Sequence, residues 1–379
     1  MSQKIICDLG SAFVKIGNSE EEGPQYVVPS IIGTPLISLE AEQRQQLDDK
    51  YACIEAIEKR KYLNIYNGIE HGRIRDYEDL DLILESVCKL GFNPNDQNII
   101  ITIPLETETK TKTYYLEKFF NENAATYLSF QLQNVASMMS AGYTTGISLE
   151  VGDGVTQAVA IVEGSIISST MEKRDFGGKQ VTRHIQHLLS NQGYKVTTSD
   201  EEQVVRIIKE TYCSVPFGFD PRSESEKHLE YVHRLPDGIT LRNNVQEIRL
   251  NNDVIYANEI MFNNTEIYQS SVKLQDIVNT VFKKAPIDSR AALASNIVTS
   301  GGATLVEKFE DRLYHELCQL NFNNSVSTLS VTAHPDKSSA AWLGCQIMSS
   351  LFETSKKQWI SMREYYDFGD SILMRKNML

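Results

Sequence analysis

The sequence predicts an α/β fold organised around an internal repeat, and three observations predict it. A loop is written twice, first as Asp8-Leu9-Gly10-Ser11-Ala12-Phe13 and again, 142 residues later, as Glu150-Val151-Gly152-Asp153-Gly154-Val155. Each copy sits between an apolar run and a second β-rich run (Ile5-Ile6-Cys7 and Phe13 to Gly17; Ile147-Ser148-Leu149 and Val155 to Val162), so each reads as strand, tight turn, strand. Strand-like and helix-like patterns then alternate along 379 residues, which at roughly 150 residues per domain make two or three compact units.

The chemistry of the repeated loop follows from its residues. Gly with Ser or Asp in a tight turn lets consecutive backbone N–H groups point inward as an anion-binding nest, and the leading carboxylate can hold a hydrated cation. Two such nests facing each other would clamp a polyphosphate and its metal. A single copy reads more readily as an ordinary hairpin with turn-forming residues. Repetition at this separation argues for the clamp.

The elements follow in order. Residues 1 to 37 read as strands with a turn at Glu20-Glu21-Glu22-Gly23-Pro24, and the polar, charge-rich residues 38 to 61 read as an exposed insertion. Helical patterns near 77 to 90 and 111 to 123 flank the apolar strand Asn98-Ile99-Ile100-Ile101-Thr102-Ile103, which ends at Pro104. After the second loop, strands run to about Ser169, and a periodic helix (Val181, Ile185, Leu188, Leu189) ends at Gly193. Ser199-Asp200-Glu201-Glu202 has the pattern of a capping box that opens the next helix. On that helix Arg206, Lys209 and Glu210 share one face while Val204, Ile208 and Tyr212 line another; alone, such a charged stripe reads as solvated. Residues 230 to 252 alternate as strands around the turn Leu235-Pro236-Asp237-Gly238. Ile297 to Thr304 reads as strand, double glycine and helix start, a place where backbone can approach a flat ligand closely.

Composition limits the function classes. The net charge of -13 leaves no basic surplus to release counterions from a phosphate backbone, so no direct nucleic-acid partner is expected. No apolar run approaches the roughly 20 residues that span a bilayer, and Met1-Ser2-Gln3-Lys4 enters a strand without a signal-peptide pattern, so a soluble, intracellular chain without membrane insertion is expected. The six cysteines (Cys7, Cys53, Cys88, Cys213, Cys318, Cys345) form no C-x-x-C pair, which predicts reduced, mostly buried thiols. His184 and His187 form H-x-x-H on a predicted helix with no third ligand nearby, and a solvated helix face is the expectation.

Taken in order, these landmarks resemble actin and the actin-related proteins. The resemblance rests on Pro29-Ser30-Ile31-Ile32-Gly33, Gly68-Ile69-Glu70-His71-Gly72, Thr144-Thr145-Gly146, Gly152-Asp153-Gly154-Val155-Thr156, Ile208-Lys209-Glu210, Leu235-Pro236-Asp237-Gly238, Ser300-Gly301-Gly302, and Trp359-Ile360-Ser361 with Glu364-Tyr365, and runs nearly end to end. It implies an actin-like ATPase fold: two duplicated lobes, each a mixed five-stranded sheet with helices, around a cleft for ATP or ADP with Mg2+ or Ca2+. It further implies a first lobe over residues 1–140, joined by the returning segment 340–379 and carrying a small inserted subdomain at 34–65. The second lobe would span 141–339, with a smaller subdomain at 183–260.

Site residues carry over position by position. Gly10, Ser11, Ala12 and Lys15 match the first phosphate loop, with Lys15 placed to reach the β- and γ-phosphates, and Gly152, Asp153, Gly154, Val155 and Thr156 match the second. Asp8 matches the carboxylate that organises waters around the cation, with Glu150 as its second-loop counterpart, and Gln133 falls where the family keeps the glutamine that orients attacking water. Arg206, Lys209 and Glu210 fall on the adenosine-contacting helix, Asp175 and Gly178 on the loop near the ribose, and Gly301, Gly302 and Leu305 on the adenine floor.

Departures from the family pattern shape the expected function. Leu9 stands where actin has an asparagine, and Ala12 where it has a glycine. Glu150 replaces an aspartate that polarises the attacking water, and Gln157 a histidine in the same water network. Ser338 replaces a lysine packed against the adenine, with Lys337 adjacent. A misplacement of about 1 Å in phosphoryl transfer costs on the order of a hundredfold, the size of the extra methylene of Glu150, so binding without efficient hydrolysis is expected. Leu39 to Lys50 is dominated by Glu, Gln, Asp and Arg where the family carries an apolar, glycine-rich tip, and Glu266 to Lys273 is sparse in apolar residues where the family keeps a hydrophobic plug. The resemblance therefore implies a divergent actin-related protein, an ATP-binding structural subunit of a cytoplasmic cytoskeletal or motor-associated complex, at most a slow ATPase. Its partners would be other proteins of the assembly, including actin or other actin-like subunits. The alternative is a conventional filament-forming actin that hydrolyses ATP; a chromatin-associated relative or a sugar kinase-like enzyme ranks below both.

Overall fold

The computed structural model describes residues 4–122, 124–196, 199–215, 230–235, 246–263, 272–320, 328–351, 356–376 and 378. Two six-stranded sheets carry the architecture. In the first, a path of five strands runs Tyr127–Leu132, Asn98–Ile103, Lys4–Leu9, Phe13–Asn18, Tyr26–Pro29. In the second, the path is Val331–Ala333, Ile297–Ser300, Gly146–Val151, Thr156–Val162, Ser165–Ile166. Each path has the same logic: an antiparallel hairpin around the repeated loop, whose first strand pairs in parallel with one later strand, which in turn pairs in parallel with another. A sixth strand is added to each, Ile360–Ser361 beside Tyr127–Leu132 and Glu172–Arg174 beside Thr156–Val162.

The duplication extends to register. Asp8 lies opposite Lys15 across its hairpin and beside Thr102 in the parallel pairing; Glu150 lies opposite Gln157 and beside Ser300. Because partners in register point to the same face of a sheet, the two triplets are equivalent places in the two lobes.

Each sheet has its own core. Ile5, Cys7, Val14, Ile99 and Phe119 belong to the first, and Leu149, Ile185, Ile208, Val281 and Phe309 to the second. A third cluster, including Ile6, Ile100, Leu105, Val159 and Trp342, joins the lobes through two helices, Gln133–Ser140 and Ala340–Leu351. These helices cross in near backbone contact at Gly344, where a Cβ would stand 1.7 Å from the Ala136 carbonyl oxygen. Trp342 closes the junction by donating its indole N–H to Ile6 O at 3.1 Å.

Residues 38 to 61 are only partly the exposed insertion that their composition predicts. The helix Ala41–Gln45 buries nothing, but Tyr51 and Ala56 are buried with Ile31 and Leu63 beside a three-stranded sheet, while Ala52 and Cys53 join the core of the first sheet. Four small or apolar residues in a charged run suffice, because the Tyr51–Ala52 strand pairs with Ile31–Pro35 and its two successive side chains are buried on opposite faces, in two different clusters. The second predicted helix runs over Thr109–Glu117 and ends in a π turn, Lys118–Glu122. Strands Tyr231–Arg234 and Glu247–Leu250 pair antiparallel, while Pro236 to Gly238 of the turn between them lie outside the described residues, as do Glu266 to Ser271. The helix Ser199–Tyr212 begins where the capping pattern places it, but the side chains of Ser199 and Asp200 also lie outside the description.

Candidate functional site

The two repeated loops close with the same bond. Gly10 N–H donates to Phe13 O at 3.1 Å, and Gly152 N–H donates to Val155 O at 2.9 Å. Their carbonyls are then drawn outward by surrounding donors. In the first loop Ser30 Oγ donates to Gly10 O (2.6 Å), Ser30 N–H to Ala12 O (2.9 Å) and Asn67 Nδ2 to Ser11 O (2.7 Å). In the second, Gly178 N–H donates to Gly152 O (3.0 Å), Lys179 N–H to Asp153 O (2.9 Å) and His71 Nδ1 to Gly154 O (2.6 Å). No hydrogen bond within the described residues engages the N–H groups of Ser11, Ala12, Asp153 or Gly154. Carbonyls turned out and N–H groups left over make a nest for an anion. The two loops also meet: a Cβ on Gly154 would stand 2.9 Å from Ser11 Oγ.

Below the loops runs a chain of polar side chains from one lobe to the other. Asp8 receives Lys15 Nζ at 3.1 Å, Thr102 Oγ1 at 2.6 Å and Gln133 Nε2 at 3.1 Å. Gln157 Nε2 in turn donates to Gln133 Oε1 and to Glu150 Oε2, both at 3.1 Å. Burial, and then the charge of Asp8, push the Glu150 carboxyl up to about 7, against the opposing pull of Gln157 and Lys15. Two carboxylates that raise one another's energy, with one ammonium between them, leave negative charge that a divalent cation would neutralise. Their oxygens are the hard donors that Mg2+ or Ca2+ prefers, so Asp8 and Glu150 fit such an ion directly or through waters.

The third group of predicted residues lies around the second loop. Lys209, its pKa lowered by burial against the pull of Asp153, donates to Gly178 O at 3.0 Å and to Thr182 Oγ1 at 2.9 Å. A Cβ at Gly178 would stand 3.1 Å from Asp153 Oδ1, so this glycine sits directly against the loop. Arg206 pairs with Glu210 at 2.9 Å and sets its guanidinium 4.8 Å from the centre of the Phe13 ring, joining the second lobe to the first loop. Gly301 (φ +94°) packs where a side chain would stand 2.4 Å from Val151 O, whereas Gly302 faces open space and Leu305 is exposed. Asp175 is exposed, and its carbonyl accepts from Gln180. Ser338 Oγ donates to Asp336 at 2.8 Å, while Lys337 is held by Glu310 (2.7 Å) and by Thr304 O (2.9 Å).

Several contributors were not singled out by their sequence pattern. Thr102 was a signal in plain view, a lone hydroxyl in an otherwise apolar strand, and it binds Asp8. Its second-lobe equivalent, Ser300, is 1% exposed and its Oγ has no hydrogen-bond partner among the described residues. Lys179 bridges the lobes to Glu70 at 2.8 Å. The H-x-x-H pair does not form one solvated face: His187 is exposed, but His184 is buried, and burial followed by the charge of His187 lowers its pKa to about 4. A helical spacing of three left one imidazole on the apolar stripe with Val181 and Ile185. No group of three metal-ligating side chains occurs among the described residues, and no helix among them is long and apolar enough to cross a membrane. None of the six cysteines forms a disulfide, and Cys7, Cys53 and Cys345 are buried.

The duplicated sheets, the two facing nests and the carboxylates beneath them constitute one arrangement spread over both halves of the sequence. A model of the actin family matches residues 1–378, the same extent over which that arrangement is built. The chain belongs to the actin family.

Proposed function

We propose that this protein is an actin-related, ATP-binding structural subunit of a cytoplasmic cytoskeletal or motor-associated complex, with slow or absent hydrolysis. The observation that carries the binding reading is the pair of facing loops whose carbonyls are turned away and whose N–H groups at Ser11, Ala12, Asp153 and Gly154 are left for an anion. The fold family generally binds a nucleotide with a divalent cation. Asp8 and Glu150 are the residues assigned to the cation; Gly10, Lys15, Gly152 and Val155 complete the phosphate clamp. Arg206, Lys209, Glu210, Asp175, Gly178, Gly301, Gly302, Leu305 and Ser338 are assigned to the nucleoside. The bound cation, when present, supplies charge neutralisation for the phosphates. Residues 1–140 with 340–379 form one lobe in this reading, with 34–65 inserted, and 141–339 the other, with 183–260 as its smaller part.

Slow hydrolysis is supported by how the amides are occupied. Gln157 accepts one bond and donates two, so its whole amide is committed to protein, and an amide does not relay a proton as an imidazole does. Gln133 holds Asp8 with its nitrogen and Gln157 with its oxygen, which restrains it from following a water. Extraction of the native protein should release one adenine nucleotide per chain, and Mg-ATP at a thousandfold excess over its Kd should add about 4 kcal/mol to the unfolding free energy. Finding no nucleotide and no thermal shift would refute the binding reading. Single-turnover phosphate release should rise in the double variant Glu150→Asp, Gln157→His; a wild-type rate equal to that of a polymerised actin, unchanged by the double substitution, would refute the slow-hydrolysis reading.

One observation favours the second reading, a filament-forming actin. Ile37, beside the polar segment Leu39 to Lys50, is 90% exposed and could serve as an apolar anchor there. Pelleting with Mg-ATP separates the two.

A further inference from the structure

The segment after the Asn98–Ile103 strand hands both backbone polar groups of one residue to the opposite lobe. Leu105 N–H donates to Gln157 Oε1 at 2.8 Å, and Leu105 O accepts from Lys173 Nζ at 3.1 Å. Gln157 and Lys173 are direct cross-strand partners in the pairing of Thr156–Val162 with Glu172–Arg174. Two adjacent side chains of the second sheet therefore grip one residue of the first lobe. The neighbouring backbone is satisfied locally, since Pro104 has no N–H and its carbonyl accepts from Thr107 Oγ1 at 2.7 Å. The Leu105 side chain is fully buried in the cluster between the lobes, which fixes where its backbone stands.

This grip decides which way the Gln157 amide points. A backbone N–H can only donate, so it takes the amide oxygen and turns the amide nitrogen toward Gln133 and Glu150. Rotating the amide by half a turn would set nitrogen against the Leu105 N–H and oxygen against both Gln133 Oε1 and the Glu150 carboxylate, losing three bonds and creating three repulsions. Lys173 touches neither Gln133 nor Glu150 in this network; it holds the Leu105 carbonyl, and so keeps the N–H aimed.

We propose that Gln157 and Lys173 form a two-point clamp on the Leu105 backbone, through which the position of the first lobe sets the orientation of Gln133 and Glu150. Lys173 is a positioning residue in this scheme. When the lobes separate, Leu105 withdraws and the amide loses the contact that orients it, so the groups beneath the phosphate loops are aligned only in the closed form. The consequence for nucleotide chemistry rests on the function proposed above; the clamp itself is measurable without nucleotide.

The test uses the full chain with its glutamine side chains labelled with 15N. Lys173→Met keeps the aliphatic stem and removes the donor. Hydrogen exchange at the Leu105 amide should then accelerate about tenfold or more, the effect of losing one well-placed constraint, and the side-chain NH2 signals of Gln133 and Gln157 should both move. Lys173→Arg should restore both readouts. Gln157→Glu keeps an acceptor for Leu105 but removes both donated bonds, so it should move the Gln133 signal while Leu105 exchange stays slow. If Lys173→Met does not fold, the Lys173→Arg and Gln157→Glu chains carry the test. Unchanged Leu105 exchange in Lys173→Met, or faster exchange with both glutamine signals unmoved, overturns the proposal, as does fast Leu105 exchange in Gln157→Glu. A missing thermal shift with Mg-ATP in the wild-type chain would instead refute the nucleotide reading and leave the clamp standing.

Discussion

Replacing Glu150 by glutamine should make the nucleotide-free chain less sensitive to pH, in a direction and by an amount that the site fixes. Burial and the nearby charge of Asp8 raise this carboxyl from 4.5 to about 7, so between those values the folded chain holds a proton that the unfolded chain has released. Stability must then fall as pH rises through that window, with a slope approaching about 1.4 kcal/mol per pH unit. Relative to a chain in which the group never ionises, the wild type loses about 0.8 kcal/mol at pH 5 and about 3.4 kcal/mol at pH 8, a difference of roughly 2.5 kcal/mol. These are upper figures, because the cleft leaves Glu150 partly exposed. Glu150→Gln preserves size and keeps an oxygen to accept from Gln157. Urea unfolding of both chains from pH 5 to 8, without divalent cation, should show the two stability curves diverging as pH rises, with the wild type falling further. Curves that stay parallel within about 0.5 kcal/mol would refute the reasoning. Saturating Mg2+ with nucleotide should shrink the divergence, since a cation that favours the ionised carboxylate lowers its pKa.

Gly344→Ala should destabilise by about 3 kcal/mol in urea unfolding, because its Cβ would meet the backbone of Ala136 rather than a side chain that can move. Arg312 is nearly fully buried and is held by both oxygens of Glu259 at 2.7 Å and by Glu316 at 2.8 Å, so Arg312→Met should lose about 3–5 kcal/mol, with part recovered when Glu259→Gln is added. At tens of micromolar with Mg-ATP and physiological salt, the chain alone should not form long two-stranded filaments. Losing about 3 kcal/mol per subunit contact raises the critical concentration by roughly a hundredfold, and abundant filaments in electron micrographs would show that the polar segment Leu39 to Lys50 does not weaken assembly.

What could be read from the sequence was local and repeated. The two loops, their flanking strands and the hairpin partners of Asp8 and Glu150 lie within a few residues of one another, and the strand period of two fixes which side chains share a face. Contacts that depend on non-local register were not legible. Thr102 reaches Asp8 across 94 residues, and Lys173 reaches the Leu105 carbonyl across 68. Nothing in either local pattern announces its partner. Nothing in the local pattern around Gly344 sets this glycine apart, and only the crossing with the Gln133–Ser140 helix gives it a reason. The H-x-x-H spacing suggests one shared face, but the helix's apolar stripe takes His184 and leaves His187 in solvent. The buried Tyr51, Ala52, Cys53 and Ala56 are masked in the sequence by the charges on either side of them.

The duplication makes the differences between the lobes informative. Equivalent register positions carry Asp8, Lys15 and Thr102 in one sheet and Glu150, Gln157 and Ser300 in the other. In the first lobe an ammonium offsets the carboxylate and a hydroxyl donates to it. In the second lobe the cross-strand partner is a neutral amide, and the equivalent hydroxyl, Ser300, is buried with no partner among the described residues. The carboxylate of the first lobe is thus paired by the chain itself, and that of the second has only a neutral amide, so burial first and then the charge of Asp8 raise the Glu150 pKa. Binding geometry is duplicated while electrostatics is not. A cation shared between the carboxylates would act mainly on the second lobe, so occupancy of the cleft should stabilise residues around Glu150, Gln157 and Ser300 more than those around Asp8. Hydrogen exchange with and without Mg-ATP would read that asymmetry directly: protection should grow more in the Gly146–Val151 and Ile297–Ser300 strands than in Lys4–Leu9 and Asn98–Ile103, and equal gains in both sheets would refute it.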